Sequence, residues 1–277
     1  YYDSMLQGTA GKGVTSKGNY GSEMPYTYEK YYDASDGCSL VTTIDATVQA
    51  YVEKNLQNAI DKYDIKNGAF CIVMDVNTGE IKAMATLGSY DPNNYLEIYD
   101  DAAAALLENE RDAALSLPET SDAYKAAIDQ YKNDVAAARM AQWRNRCVSD
   151  GYEPGSTFKL ITLASAIDSG AVTLNDSFYC GGQEKFTGRE QILNCWKSAG
   201  HGAQSTAQAL GNSCNIAFAH IALKLGGERF YEYVKNFGVL EKTGIDLAGE
   251  SKGVFFDKAL VTDTDKWGTA SLTSGSF

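Results

Sequence analysis

The sequence predicts an α+β fold, or α/β with an antiparallel sheet, from three observations. Two apolar runs around a short Gly-containing turn, between residues 69 and 85, read as a β-hairpin. The chain beyond Gly155 reads mostly as helix. Between about 96 and 143 an Ala- and Glu-rich stretch carries two more helical patterns, inserted into the sheet-bearing part. Sheet and helix segregated along one chain, with no internal repeat, favour that class.

Each element has its own signal. Residues 1–39 are rich in Gly, Tyr and Ser with weak periodicity, and are expected to be an extended linker entering a domain that spans 40–277. Val41-Thr42-Thr43-Ile44-Asp45 has β-branched, strand-like character, and Asp45 can cap a helix. Behind it Val48, Val52, Leu56 and Ile60 recur at helical spacing. The nearly continuous run Ala69–Val76 suggests a strand buried on both faces, turned by Asn77-Thr78-Gly79 into Glu80–Ala85. In the insertion Leu106, Leu107 and Leu115 mark one helix, which Pro118 ends. Ser121 can cap a second, with the stripe Tyr124, Ile128, Tyr131 and Val135. This pair is either a solvated structural insertion or a partner-binding element. A polar, Gly-rich loop is expected over 180–205, with a further helix starting near Ser213.

Composition excludes several function classes. At about 150 residues per domain, 277 residues are enough for one or two domains with real cores. The net charge of −12 argues against binding along a nucleic-acid backbone, which needs clustered Lys and Arg. With 44 % hydrophobic and 22 % charged residues the chain is neither disordered nor collagenous. No apolar run of about 18 residues is present to cross a bilayer, and no signal-peptide pattern is visible. The chain starts abruptly at Tyr1-Tyr2-Asp3-Ser4 and stops on Ser274-Gly275-Ser276-Phe277, so it is expected to be a fragment. Of six cysteines, Cys38, Cys71 and Cys147 stand apart and are expected to be small buried hydrophobes. Cys180, Cys195 and Cys214 fall in one stretch with His201.

The chemistry concentrates in Glu153-Pro154-Gly155-Ser156-Thr157-Phe158-Lys159. Pro and Gly set a turn, Ser156 falls at the start of the following helix, and Lys159, three residues on, shares its face. A serine hydroxyl is a weak nucleophile without a base beside it, and a desolvated lysine loses enough proton affinity to serve. The helix N-terminus adds free N–H groups near a developing oxyanion. Alone, S-x-x-K is a weak pattern. The later Gly211-Asn212-Ser213-Cys214-Asn215 supplies an S-x-N element, and the two in this order match the penicillin-recognising serine acyl-transferases.

The run Tyr152–Lys159, preceded by Asn145-Arg146-Cys147-Val148, resembles the active-site entry of class B penicillin-binding proteins. Thr43-Ile44-Asp45 with Gln49, Asp91-Pro92-Asn93-Asn94, and Lys242-Thr243-Gly244-Ile245-Asp246-Leu247 with Gly249-Glu250 are similar to the same family. The resemblance implies the penicillin-binding-protein/β-lactamase-like transpeptidase fold, and a D,D-transpeptidase that cross-links peptidoglycan stem peptides and is acylated by β-lactams. It implies that Ser156 attacks the penultimate D-Ala carbonyl and that Lys159 takes its proton. Ser213 would relay a proton to the leaving D-Ala, and Asn215 would bind the substrate amide. The family's third element is a Lys-Thr/Ser-Gly on a strand across the cleft. Lys242-Thr243-Gly244 has the letters, but it follows Asn215 by only 27 residues and leads into a loop, so it is expected to be a structural turn. The true element is then expected beyond Phe277, which would leave this chain incomplete at its C-terminus and an incomplete catalyst.

Cys180, Cys195, His201 and Cys214 together form the ligand set of a closed, structural Cys₃His zinc site. Their spacing, with 14, 5 and 12 residues between ligands, is not a zinc finger's, but Cys214 is the middle residue of Ser213-Cys214-Asn215. Zinc-binding elongation- and sporulation-type relatives imply such a site too. A Cys180–Cys195 disulfide and unligated buried thiols are the alternatives. His220, in an apolar helical run, is expected to be a satisfied core residue. The resemblance further implies a place at the extracytoplasmic face of the bacterial cell membrane, an N-terminal anchor absent from this chain, and a membrane glycosyltransferase partner. Two other functions stay open at this point: a β-lactamase-like hydrolase or β-lactam sensor, and a non-catalytic envelope scaffold.

Overall fold

The computed structural model describes residues 1–14, 30–65, 68–263 and 273, so the rest of the expected linker and the terminal Ser274–Phe277 lie outside the described residues. The chain divides into two compact units, Tyr1–Ser149 with Asp246–Gly249, and Asp150–Ile245 with Glu250–Phe277. None of the described helices is long and apolar enough to cross a membrane.

In the first unit, the segment expected as a linker holds α1 (Asp3–Leu6) and a small antiparallel ladder of β1 (Lys12–Val14) and β2 (Lys30–Tyr32). Val41–Asp45 forms no ladder strand. It runs instead along the edge of β4 (Ile81–Thr86), where the Thr43 hydroxyl donates to the Ile81 carbonyl at 2.7 Å and the Asp45 N–H to the Lys82 carbonyl at 2.9 Å. Asp45 then caps α2 (Ala46–Tyr63) as expected, its carboxylate accepting from the N–H groups of Thr47 and Val48. Val48, Val52, Leu56 and Ile60 are the half-buried face of α2, which packs against the hairpin of β3 (Phe70–Met74) and β4.

Gln49 fixes that packing. Its Nε2 donates to the Met84 carbonyl at 3.1 Å and its Oε1 accepts from the Met84 N–H at 2.8 Å. One side-chain amide thus stands in for a neighbouring strand's peptide group on β4. The expected burial of β3 on both faces is corrected: Ile72 is 43 % and Met74 55 % exposed, while Ala83 and Ala85 on β4 are buried. An apolar run signals burial on both faces only inside a wider sheet, and the described ladder here has two strands.

The inserted helices form as expected. They are α3 (Asp101–Leu115), capped by Asp100, and α4 (Asp122–Trp143), capped by Ser121. The stripe from Tyr124 to Val135 is half-buried, but in α3 only Leu107 and Ala114 are buried, and Leu106 and Leu115 are exposed. The end of α4 grips the chain entering α3: Gln142 donates to the Glu97 carbonyl at 2.6 Å, Arg139 to the Leu96 carbonyl at 2.7 Å, and Trp143 to the Tyr95 carbonyl at 2.9 Å. The short α5 (Arg146–Ser149) closes this unit, with the half-buried Cys147 thiol 3.4 Å from the Ala85 carbonyl. Cys71 is also half-buried and Cys38 is exposed, so none of the three isolated cysteines is the fully buried hydrophobe expected.

The second unit is built round a buried helix. A 3₁₀ turn (Gly155–Phe158) runs into α6 (Lys159–Asp168). The expected polar loop instead contains two small antiparallel ladders. In one, β5 (Ser177–Cys180) pairs with β8 (Gly202–Ser205), and in the other β6 (Gln183–Glu184) pairs with β7 (Leu193–Asn194). Strands of two to four residues are too short to show alternation. Next come α7 (Thr206–Gly211), with a capping box from Ser205 and Gln208, then α8 (Asn215–Leu225), α9 (Gly227–Asn236) and α10 (Lys258–Thr262). In α8 seven residues, Ile216 to Ala219, Ile221, Ala222 and Leu225, are buried, the mark of a helix enclosed by its neighbours. Phe158 stacks on Phe255 and meets Phe230 edge-on in this core. His220 is not a core residue: it is half-buried, with Nε2 2.9 Å from the Glu184 carboxylate.

Replacing Gln49 with Leu leaves the Met84 N–H and carbonyl unpaired. The expected loss is about 1–3 kcal/mol of stability, read as a lower urea midpoint. An unchanged midpoint would show that water substitutes for the amide.

Candidate active site

Gly155, at φ +55°, turns the backbone through the left-handed region just before Ser156, a conformation that glycine adopts without a Cβ penalty. Ser156 therefore opens the helical stretch and is exposed, whereas Lys159, one turn on, is only 1 % exposed against α8. Lys159 Nζ donates to Ser156 Oγ at 2.8 Å and to Asn215 Oδ1 at 3.0 Å, and lies 5.7 Å from the centre of the Phe218 ring. Burial holds the Lys159 ammonium below its usual range, and the nearby Cys195 and Cys214 sulfurs oppose that shift without reversing it.

Ser213 comes to the same point from the other side. Its hydroxyl donates to Ser156 Oγ at 3.0 Å. It does so from φ +48°, a left-handed backbone that a non-glycine residue rarely adopts. The Ser213 N–H donates to the Leu210 carbonyl and the Cys214 N–H to the Ala209 carbonyl, which is the Schellman pattern that ends α7. Ser213 occupies the position where glycine is usual. Asn215, the first residue of α8, uses both ends of its amide: Oδ1 receives Lys159 and Nδ2 donates to the Asn194 carbonyl on β7 at 3.3 Å. All four residues expected to carry catalysis, Ser156, Lys159, Ser213 and Asn215, are thus in one hydrogen-bonded cluster.

The four expected metal ligands also converge. The donor atoms of Cys180, Cys195, His201 and Cys214 all lie within 4.8 Å of one another. Cys195 Sγ is 4.0 Å from Cys214 Sγ and 3.6 Å from His201 Nδ1. A tetrahedral zinc with Zn–S bonds of about 2.3 Å has S···S edges of about 3.8 Å, so this spacing fits the ion. All six thiols are free, so Cys180 and Cys195 are not joined. Burial, helped by the Lys197 charge, keeps His201 below its ordinary pKa and therefore neutral, the form that ligates. Burial pushes the Cys214 thiol up to about 12. Burial also works against ionisation of Cys195, but the N–H groups of Lys197 and Asn215 together with the Cys180 and Cys214 thiols bring that thiol below its usual range. Two glycines let the surrounding loop close: a Cβ on Gly182 would lie 1.9 Å from the Ser198 carbonyl oxygen, and one on Gly200 2.3 Å from that of Cys180.

Lys242-Thr243-Gly244 lies in an exposed loop. The Thr243 N–H and hydroxyl both donate to Glu250 at 2.6 Å, and the Gly244 N–H donates to the same carboxylate at 3.2 Å. It is a carboxylate-tied turn, as its sequence context suggests. Sequence reasoning missed three other groups near Ser213. Asn212 Nδ2 donates to Gln204 Oε1 at 3.0 Å, and the Asn212 carbonyl accepts from Trp196 Nε1 at 2.9 Å. Only the Gly211-Asn212 pair, a helix C-terminal signal, hinted at this turn.

A nucleophile, a buried amine and a second hydroxyl within 3.0 Å form a serine acyl-transfer arrangement. The model of the penicillin binding protein transpeptidase domain matches residues 69–273. This chain belongs to that family. As a transpeptidase-domain chain it is 32 % identical to stage V sporulation protein D of Bacillus subtilis (strain 168) over 271 residues, 98 % of this chain and 35 % of that protein. It is 27 % identical to peptidoglycan D,D-transpeptidase MrdA of Escherichia coli (strain K12), over 91 % of this chain and 34 % of that protein. The chain spans about a third of the length of these curated relatives. Its fold is similar to that of penicillin binding protein 3 of Mycobacterium tuberculosis, complexed with aztreonam. There the TM-score is 0.63 at 23 % identity, covering 89 % of this chain and 45 % of that one. The fold class is therefore the penicillin-binding-protein/β-lactamase-like one, mixed helix and antiparallel sheet.

The strain at Ser213 is measurable. Ser213→Gly is expected to be more stable than Ser213→Ala by about 1 kcal/mol in urea unfolding, because only the alanine keeps a Cβ in the left-handed region. Equal stabilities would show that the turn carries no such strain.

Proposed function

We propose that this chain is the acylating part of a peptidoglycan D,D-transpeptidase, which cross-links stem peptides through an ester on Ser156 and is acylated there by β-lactams. One observation carries the reading: Ser156 Oγ sits within 3.0 Å of both a buried lysine amine and the Ser213 hydroxyl. With Lys159 neutral, the Ser156 O–H proton passes to Nζ as Oγ bonds to the carbonyl carbon of the penultimate D-Ala. The carbonyl π electrons move to its oxygen, and the first N–H groups of the helical stretch, which lack intrahelical acceptors, are donors available to that charge. When the C–N bond breaks, the leaving D-Ala nitrogen takes a proton delivered through Ser213 Oγ and replenished from Lys159. Cross-linking reverses these steps with the amine of a second stem peptide. Asn215 keeps Lys159 aligned through Oδ1, and its Nδ2 has a second N–H, beyond the one given to the Asn194 carbonyl, to offer a substrate amide.

A β-lactam presents the same carbonyl in a strained ring, and its amine stays tethered after opening, which slows release of the ester. Aztreonam, bound to the similar Mycobacterium tuberculosis protein, is such a compound. Zinc is proposed on Cys180, Cys195, His201 and Cys214. Four protein ligands leave no open position, so the ion's contribution would be structural, tying β5, β7–β8 and the start of α8 together. Peptidoglycan as substrate supports a location at the extracytoplasmic face of the bacterial cell membrane, and the resemblance to class B penicillin-binding proteins supports an N-terminal anchor and a glycosyltransferase partner as parts of the same proposal.

Native mass spectrometry after incubation with benzylpenicillin tests both parts. The expected spectrum carries one penicilloyl adduct and one zinc per chain, and Ser156→Ala loses the adduct but keeps the zinc. A folded wild type without an adduct contradicts the acyl-enzyme reading, and one without zinc contradicts the metal assignment.

A further inference from the structure

Ser213 is held in an unfavourable backbone conformation, and the groups that hold it are not those that react. Asn212, the residue before it, is exposed, yet it is gripped at two atoms from two different segments. Its side-chain Nδ2 donates to Gln204 Oε1 at 3.0 Å, and its main-chain oxygen accepts from Trp196 Nε1 at 2.9 Å. Gln204 is a buried residue of β8, 4 % exposed, and its Nε2 has no hydrogen-bond partner among the described residues. Trp196 lies one residue after Cys195, with its ring edge-on to His201 at 5.4 Å. Residue 213 is therefore flanked by an anchored Asn212 and a buried Cys214.

We propose that Gln204 and Trp196 are positioning residues that, through Asn212, hold Ser213 in its left-handed conformation with its hydroxyl on Ser156. A turn of this kind ends α7 whether or not the clamp exists, because the Schellman bonds alone close it. What the clamp adds is restriction of the next peptide. With Asn212 bonded at both its side chain and its carbonyl, rotation of the 212–213 peptide plane breaks the Trp196 bond, and that rotation is the motion that would return Ser213 to the ordinary helical region and carry Oγ away from Ser156. Misplacement of a reacting group by about 1 Å can cost on the order of 10²-fold in rate. The clamp is assigned to the rate of bond formation, because what it fixes is the placement of the Ser213 hydroxyl on Ser156.

The inference rests on the acyl-enzyme reading, and the test separates the two. Acylation of the full protein by a fluorescent penicillin is followed over a concentration series, which resolves the dissociation constant from the first-order acylation constant. Gln204→Leu, which keeps the side chain's bulk without its amide, is expected to lower the acylation constant 10- to 100-fold with the dissociation constant within about twofold. In a Ser213→Ala background the same substitution is expected to change acylation less than twofold, because the group it positions is gone. Trp196→Phe, which removes the N–H donor together with the five-membered ring on a side chain that is 66 % exposed, gives the same pattern if Gln204→Leu does not fold. Wild-type acylation rates in whichever variant folds, or an equal loss in the Ser213→Ala background, would overturn the proposal. A wild type that is not acylated overturns the acyl-enzyme reading and this inference with it.

Discussion

A lysine amine buried against an apolar helix is the constraint on which the second unit depends. Lys159 is almost fully buried, and Ser156 and Asn215 receive its amine from two different elements. That pairing fixes the distance between the start of the 155–168 helical stretch and the start of α8. It also explains why α8 is almost entirely apolar: the helix is the wall that desolvates the amine, with Phe218 presenting its ring to Nζ. The same burial that demands partners lowers the cost of losing the proton, so one packing decision supplies both the geometry and the chemistry of a base.

The cysteine cluster and the Ser213 turn follow from placing a hydroxyl opposite that amine. The Schellman bonds put Ser213 in the left-handed region, and both of its neighbours are tied down as well. Cys214 is buried among three other potential ligands, and Asn212 is clamped by Gln204 and Trp196. The two ladders β5–β8 and β6–β7 bring these groups together from residues scattered between 180 and 204. Their close approaches at Gly182 and Gly200 tolerate no side chain. On the proposed reading, the ion and the clamp are two supports for one strained residue.

Much of this was legible in the sequence, for identifiable reasons. Asp45 and Ser121 read as helix caps because a single side chain decides such a cap, and both cap as expected. Ser156, Lys159, Ser213 and Asn215 read as a site because two short motifs fix their order, and helical geometry then fixes one of the distances. What stayed hidden depends on tertiary pairing. Ile72 and Met74 look like core until the number of strands beside them is known. The strands of 177–205 are too short for alternation to register. Gln204, Trp196 and Asn212 carry no motif, because their contacts cross 8 to 16 residues and involve a main-chain oxygen. His220 reads as apolar core from its helix and is instead paired across to Glu184.

The claim that burial turns Lys159 into a base is open to direct observation. Titration of the ¹⁵N-labelled lysine side chains by NMR, with Lys159→Met used to assign the resonance, reads the proton affinity of Nζ without any ligand. Lys159 is expected to lose its proton below the ordinary lysine value of 10.5, so that the neutral amine gains population as pH rises towards that value from below. Deprotonation at or above 10.5 would mean that the neighbouring sulfurs and the bonds to Ser156 and Asn215 hold the ammonium, and Lys159 could not then take the serine proton.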